Sequence, residues 1–484
     1  LFLAYCHWWS VTFTNRVEIK IQQKLFKLYL NQDYLDFLKQ NISVKYRNCT
    51  NEISIFLKYL VAIMTFLFEI MILLGVLSFF LFVQPATTLM ITSVILSFFI
   101  IFYLIANVKV YKWNKVRLYN SRTSTKFLLE GFNTFKDIKI FGKSKLFLEL
   151  FTYHQKICVN LYRKISIINF MPKILIESLA IIIVSFVIIY LRNDNVSNVE
   201  IVATLGIFSA AAFRLFPSVT RIIQTFNTIK GGVPSVDIII KEIKLDELKK
   251  ETKNLITEKK TSFNNNISFD HVSFSYPSRN QEIIKESSFN IKKGSIVAIS
   301  GDSGAGKSTL LSLLLGLIKP TKGKVTLDGI DIKKNFESIR HNFGYVSQEA
   351  SLLDDSIKFN ITMLLNNDEI DDKKLDQVIK IANLSKFINS LEKKLETQIG
   401  EKAVKISGGQ RQRIIIARAL YNNPEIIILD EATSELDKNN EIEIIKKIID
   451  QKNDKTLILI SHNKDLINIC DQVLMIKENK IFLN

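Results

Sequence analysis

Residues 301–309 read Gly-Asp-Ser-Gly-Ala-Gly-Lys-Ser-Thr, set between the apolar run Ile296–Ile299 and the helix-like Leu310–Leu317. Glycines at this spacing let successive backbone N–H groups close around phosphate oxygens, Lys307 supplies a compact positive charge, and the Ser308 hydroxyl can reach a Mg²⁺ ion. A glycine-rich surface turn would not account for a lysine and a hydroxyl following at the required distance. Gly301, Asp302, Ser303, Gly304, Ala305, Gly306, Lys307, Ser308 and Thr309 are therefore candidate nucleotide-binding residues.

Further groups follow in a fixed order. Gln348 comes after the strand-like Phe343–Ser347, and Ile406-Ser407-Gly408-Gly409-Gln410 precedes a predicted helix over Arg411–Tyr421. The apolar run Ile426–Leu429 ends in two adjacent carboxylates, Asp430 and Glu431, followed by Ser434-Glu435-Leu436-Asp437; a second apolar run, Thr456–Ile460, ends at Ser461-His462. Adjacent carboxylates can cap a helix, but the preceding run places both at the carboxyl end of a strand, where α/β proteins bind ligands. Phosphoryl transfer needs charge neutralisation and an oriented water more than covalent participation, and these residue types supply both.

The 484 residues exceed what one core usually holds and imply two or more domains. Charge divides them: residues 1–261 hold 33 Lys and Arg against 17 Asp and Glu, whereas residues 262–484 hold 31 against 30. The basic half is also the apolar half, so the excess reads as membrane flanks and not as a nucleic-acid surface. Four runs meet or approach the twenty or so apolar residues that cross a bilayer: Ile55–Val83, Ala86–Val108, Ile174–Leu191 and Ile201–Phe216, with Leu1–Phe13 as the stub of another. Gln84-Pro85 and Arg192–Glu200 are short connections whose single basic residue is Arg192. By contrast residues 14–47 carry seven Lys or Arg and residues 109–164 carry thirteen, which places the long connections in the cytoplasm. Helical apolar spacing over Arg117–Phe135 and Lys143–Arg163 predicts that the membrane helices continue into the cytosol. The expected division is a helical membrane domain over 1–240, incomplete with four spans and a stub, a charged linker helix over 241–261, and an α/β domain over 262–484. Cys6, Cys49, Cys158 and Cys470 are scattered without metal spacing and read as isolated thiols. A chain that opens at Leu1, directly in apolar sequence, reads as lacking its beginning.

Across 262–484 the chain resembles the ABC transporter ATPases, since six motifs agree in order and spacing. The resemblance implies that Tyr276, closing Val272-Ser273-Phe274-Ser275-Tyr276, stacks on adenine; the competing reading is an ordinary strand aromatic. It implies that Lys307 binds the β- and γ-phosphates of ATP, that Ser308, Gln348 and Asp430 surround Mg²⁺, that Glu431 is the general base, and that His462 contacts the γ-phosphate. It also implies that Ser407, Gly408, Gly409 and Gln410 complete the site of an opposite subunit, giving a homodimer with two ATP molecules at its interface, and that Asp437 belongs to the same nucleotide site. Ile406 replaces a usual leucine. Thr397-Gln398-Ile399-Gly400-Glu401 resembles a segment of ABC exporters, with Ala403 where glycine is common.

The first half resembles the exporter-type transmembrane domain, which normally has six helices. That implies coupling helices near Leu30–Phe37 and Asn133–Phe147. Arg214 and Arg221 stand two helical turns apart, on nearly one face of the last span, with Pro217 between them as an expected kink. A charge within a span is costly and faces a cavity or a partner. An arginine fork suits a phosphate or pyrophosphate headgroup. The run Ala211–Ile223 is similar to the bacterial flippases for lipid-linked oligosaccharides, the PglK type, which makes Arg214, Arg221 and Lys173 candidate substrate residues. The competing readings are that Arg221 snorkels to headgroups and that the arginines pair with Glu69 or Glu177. The expected protein is thus an ATP-driven half-transporter in the bacterial inner membrane, with lipids and a lipid-linked substrate as partners and no nucleic acid. Export of a peptide, toxin, drug or plain lipid is the alternative, and a nucleotide-gated channel or regulator without turnover is the alternative of another class.

Overall fold

The computed structural model describes residues 2–83, 85–193, 198–251, 260–277, 281–348, 351–400, 406–431, 438–450, 454–461 and 463–483. Over much of 86–108, 179–214 and 245–250 it describes helical backbone alone. The chain divides into two compact units, Leu1–Thr252 and Lys253–Asn484.

The first unit is all helical. Its elements are α1 (Phe2–Leu30), α2 (Tyr34–Lys39), α3 (Ile42–Arg47), a π-helical turn (Asn48–Glu52), α4 (Ile53–Val83), α5 (Pro85–Asn133), α6 (Phe135–Ile140), α7 (Ser144–Asn193) and α8 (Asn198–Glu251). Helices α5 and α7 run without interruption through the stretches expected to extend the spans. At 49 and 50 residues they are about 75 Å long, well beyond a hydrocarbon core of about 30 Å. Among the described residues one helical run, Ile42–Phe82, is long and apolar enough to cross a membrane, with mean hydropathy 2.6. Pro217 lies inside α8 without ending it, and the charged residues expected to begin a separate linker helix continue α8 as far as Glu251. No Pro or Gly falls between 241 and 251 to stop it.

Packing within this unit gathers at two places. Leu25, Ile53, Leu57 and Ile239 join α1, α4 and α8, and Ile176, Val219 and Ile223 join α7 to α8. Gly232 lets α8 come close to α4, because a Cβ there would stand 2.9 Å from Cβ of Tyr59. Two of the seven flanking charges of residues 14–47 are not at a surface. Lys45 is 5% exposed and Arg47 1% exposed, the latter bonded through Nη1 to Glu52 Oε1 at 2.6 Å. Asn48 extends this contact by donating to the Tyr29 hydroxyl at 2.9 Å.

The second unit holds two sheets. β1 (Asn266–Phe274), β2 (Ile284–Lys292), β4 (Lys322–Leu327) and β5 (Ile330–Asp331) form an antiparallel sheet in the order β2-β1-β4-β5. β3 (Ile296–Gly301), β6 (Phe343–Val346), β7 (Ile426–Asp430), β8 (Thr456–Ile460), β9 (Gln472–Lys477) and β10 (Lys480–Leu483) form the other, in the order β10-β9-β3-β8-β7-β6. Its strands are parallel except β10. β7 and β8 are buried at every position, as expected of strands covered on both faces. The accompanying helices are α9 (Lys307–Leu314), α10 (Phe336–Ile339), α11 (Ile357–Thr362), α12 (Asp372–Ile381), α13 (Ser385–Ser390), α14 (Gly408–Tyr421), α15 (Lys438–Asp450) and α16 (Lys464–Ile467). One continuous core of Ile, Leu and Val side chains runs from β7 and β8 into α11, α12 and α14.

Candidate functional site: a phosphate loop at the strand ends

The strand order brings the singled-out residues to one edge. β3, β8, β7 and β6 are consecutive neighbours, with Ile299 opposite Ile460 and Ile460 opposite Asp430. Their carboxyl ends lead into the phosphate loop, Ser461, the Asp430-Glu431 pair and Gln348 respectively. His462, which follows Ser461, and Asp437 lie outside the described residues, as does Ala403.

The loop between β3 and α9 is shaped by glycine. Gly306 is the N-cap of α9 with φ 109, and a Cβ there would meet Cγ2 of Ile283 at 2.9 Å. Only glycine accepts both conditions, which leaves the N–H groups of the first turn of α9 facing the loop. Lys307 folds back over the loop, its Nζ donating to the carbonyl oxygen of Gly301 at 2.7 Å and lying 3.3 Å from that of Asp302. Asp302, Ser303 and Gly304 are exposed, Ala305 and Gly306 half-buried, and Ser308 presents its side chain to solvent, while Thr309 is buried. Tyr276 reaches this helix: its hydroxyl stands 3.4 Å from Thr309 Oγ1, and its ring meets Phe274 edge-on at 5.0 Å.

The carboxylate pair divides into two environments. Asp430 is 9% exposed and accepts from the Tyr345 hydroxyl at 3.2 Å. Burial pushes its carboxyl above the ordinary aspartate range, the charge of Glu431 adds to the rise, and the Tyr345 bond and Lys307 oppose it. Glu431 has φ 47, a conformation unusual for a residue with a side chain, held by its N–H donating to the Ile460 carbonyl at 3.1 Å. Backbone strain of this kind gathers at sites where geometry is over-determined. Its Oε2 accepts from Gln348 Nε2 at 2.5 Å, joining the last strand of the row to the carboxylate pair.

A buried carboxylate, an accessible serine hydroxyl and a side-chain amide are hard oxygen donors, the set that suits Mg²⁺ shared with phosphate oxygens. Raising a carboxyl pKa on folding means that stability present below the unfolded value is lost as pH rises through the folded value. In the absence of nucleotide, Asp430→Asn is therefore expected to raise the melting temperature of the ATPase unit at pH 7.5 and to remove Mg²⁺-dependent hydrolysis. Parallel thermal melts and activity assays check both.

Ser407, Gly408, Gly409 and Gln410 stand apart from this edge. Ser407 caps α14: its Oγ accepts from the Gln410 N–H at 3.3 Å, and Gln410 Oε1 accepts from the Ser407 N–H at 2.9 Å. Among the described residues these four share no hydrogen bond with the phosphate loop of their own chain. Helix α14 is braced instead against α11, where Arg418 donates to the carbonyl of Asn360 at 2.6 Å and to its Oδ1 at 2.8 Å. Tyr345 was not singled out by the sequence reading. The signal for it was alternation, since Gly344 and Val346 are buried and Tyr345 between them faces the other way.

Of the candidate substrate residues, Arg221 is 59% exposed and bonds Glu69 Oε1 at 2.8 Å, the pairing set against it above, whereas Lys173 is exposed. The side chain of Arg214 lies outside the described residues.

Comparison with known proteins agrees with this geometry. Residues 284–434 match the ABC transporter family. A protein named ATP-dependent lipid A-core flippase, from Coxiella burnetii, is 32% identical over 353 residues, covering 73% of this chain and 59% of that protein. A second flippase of that name, from Pasteurella multocida, is 39% identical over 230 residues, 47% of this chain and 39% of its own length. A probable multidrug resistance ABC transporter ATP-binding/permease protein from Bacillus subtilis is 39% identical over 210 residues, 43% and 36% of the two chains. The chain thus spans less than two thirds of these curated relatives. The solved structure of a bacterial Atm1-family ABC exporter with ATP bound superposes with a TM-score of 0.75 at 22% identity, covering 98% of this chain and 81% of that one.

Residues 284–434 thus form an ABC transporter domain, and the chain has the fold of a half-transporter, a helical domain ahead of an α/β domain.

Proposed function

We propose that this chain hydrolyses ATP to move an amphipathic lipid across the bacterial inner membrane, and that its cargo is a lipid-linked oligosaccharide. The observation that carries the ATPase part is the joined edge itself, in which Gln348 holds a strained Glu431 beside the buried Asp430 and in line with the phosphate loop. Lys307 and the N–H groups of α9 would bind the triphosphate, and Tyr276 would face the base. Ser308, Asp430 and Gln348 would hold Mg²⁺, which when bound neutralises phosphate charge. Glu431 would orient and polarise the attacking water, with His462 on the γ-phosphate. Ser407 to Gln410 would act on the nucleotide of a second copy, which makes a head-to-tail homodimer the working unit. The flippase names of two relatives support a lipid cargo, and the basic long connections support a multi-pass arrangement with the ATPase unit in the cytoplasm.

Reconstitution in vesicles with a fluorescent pyrophosphate-linked polyprenyl oligosaccharide tests the reading. ATP-dependent flipping that disappears in Lys307→Ala is the expected result. Hydrolysis without glycolipid movement would remove the cargo, and absence of hydrolysis would remove the ATPase.

One observation favours a second cargo class, a drug, peptide or plain lipid: Glu69 already neutralises Arg221. The two readings part on Glu69→Gln. If an anionic headgroup uses Arg221, freeing that guanidinium lowers the glycolipid concentration giving half-maximal ATPase stimulation by about tenfold, the lower end of the worth of one charged hydrogen bond. No change is the result for an uncharged cargo.

A further inference from the structure

The two short helices between the long ones are held in different ways. Helix α6 buries Ile138, an ordinary apolar anchor. Helix α2 buries none of its six residues, and Tyr34, Phe37 and Leu38 stand 39%, 36% and 58% exposed. Six residues are too few to hold a helix by their own hydrogen bonds. Its anchor comes from α3. The Lys45 ammonium donates to the Phe37 carbonyl oxygen at 3.0 Å, in the last turn of α2, and lies 3.3 Å from the centroid of the Phe37 ring. The Tyr29 ring of α1 stands behind it at 5.9 Å.

Lys45 is 5% exposed, and among the described residues no carboxylate lies within 4 Å of its ammonium. A buried ammonium without an ion pair is expensive. Here the compensation is a helix-end carbonyl and a ring face, both belonging to α2, with the more distant charge of Glu242 on α8 also favouring the ammonium. Removing the charge removes both of these contacts between α3 and α2.

We infer that Lys45 is the positioning residue of α2 and so sets how tightly ATP hydrolysis is coupled to cargo movement, an inference that rests on the exporter reading above. A nitroxide at Leu38→Cys, in a cysteine-free full chain, reports the order of α2 directly. Lys45→Met keeps an apolar stem and removes the ammonium. The expected results are a more mobile label, unchanged ATP affinity, and a fall of about tenfold in polyprenyl oligosaccharide moved per ATP, the scale of a typical coupling energy. Lys45→Arg keeps the ring and carbonyl contacts and restores the ratio. A label as immobile in Lys45→Met as in the parent, or a freed label with an unchanged ratio, overturns the inference. A parent chain that hydrolyses ATP without moving the glycolipid overturns the cargo reading alone, and label mobility then decides on the anchor.

Discussion

Glu431→Gln is expected to lower ATP hydrolysis about a thousandfold while leaving ATP binding nearly unchanged. The amide keeps the size of the side chain, its φ 47 backbone and a contact to Gln348, so the site remains assembled. What it loses is the ability to accept a proton from water, and general-base catalysis contributes about 10²–10⁴ to a rate. The two readouts separate base from binder: a mere structural role for Glu431 would lower affinity and rate together. Single-turnover hydrolysis and equilibrium nucleotide titration on the reconstituted chain measure them. Equal rates in the two forms would leave a nucleotide-gated regulator as the better description.

The largest effect on stability is expected at Arg47. Arg47 and Glu52 are each 1% exposed, and Arg47 Nε and Glu52 Oε2 have no hydrogen-bond partner. Arg47→Met strands a buried carboxylate, and removing one partner of such a pair costs about 3–5 kcal/mol. The companion change matters more than the single one. Arg47→Met combined with Glu52→Leu replaces charge by apolar volume at both positions and should recover most of the loss. Denaturation of the solubilised full chain, followed by tryptophan fluorescence, compares the three forms. A double variant as unstable as the single one would show that the π-helical turn, and not the charge, is what Arg47 serves.

Much of the nucleotide edge was legible because its logic is local. Gly306, Lys307 and Ser308 sit within one loop, and each strand announces itself by an unbroken apolar run ending in a polar residue. Parallel pairing then had to bring those ends together, and the β3-β8-β7-β6 order does so. The span Ile55–Val83 was legible for a similar reason, since length and apolarity are properties of a segment alone. Contacts between segments were not. Lys45 and Arg47 were counted among cytoplasmic flanking charges, the ordinary fate of a basic residue beside a span, yet tertiary packing buries both. Nothing in their immediate neighbours marks them, because their contacts come from α1, from α2 and from the turn that follows. Tyr345 was missed for the opposite reason: one exposed aromatic in a strand is common, and its meaning depends on Asp430, which lies 85 residues further on.

Helices α5 and α7 extend some 45 Å past the thickness of a hydrocarbon core, and Pro172, two residues before the expected span of α7, does not end that helix. Such a helix behaves as a lever. A tilt of about 5° at the membrane displaces its far tip by about 4 Å, close to the width of one side chain, so an angular change too small to reshape apolar packing becomes a full step at the distal end. Length of this kind works as mechanical gain, and shortening either arm by a whole number of turns should reduce the stroke in proportion while leaving both ends chemically intact.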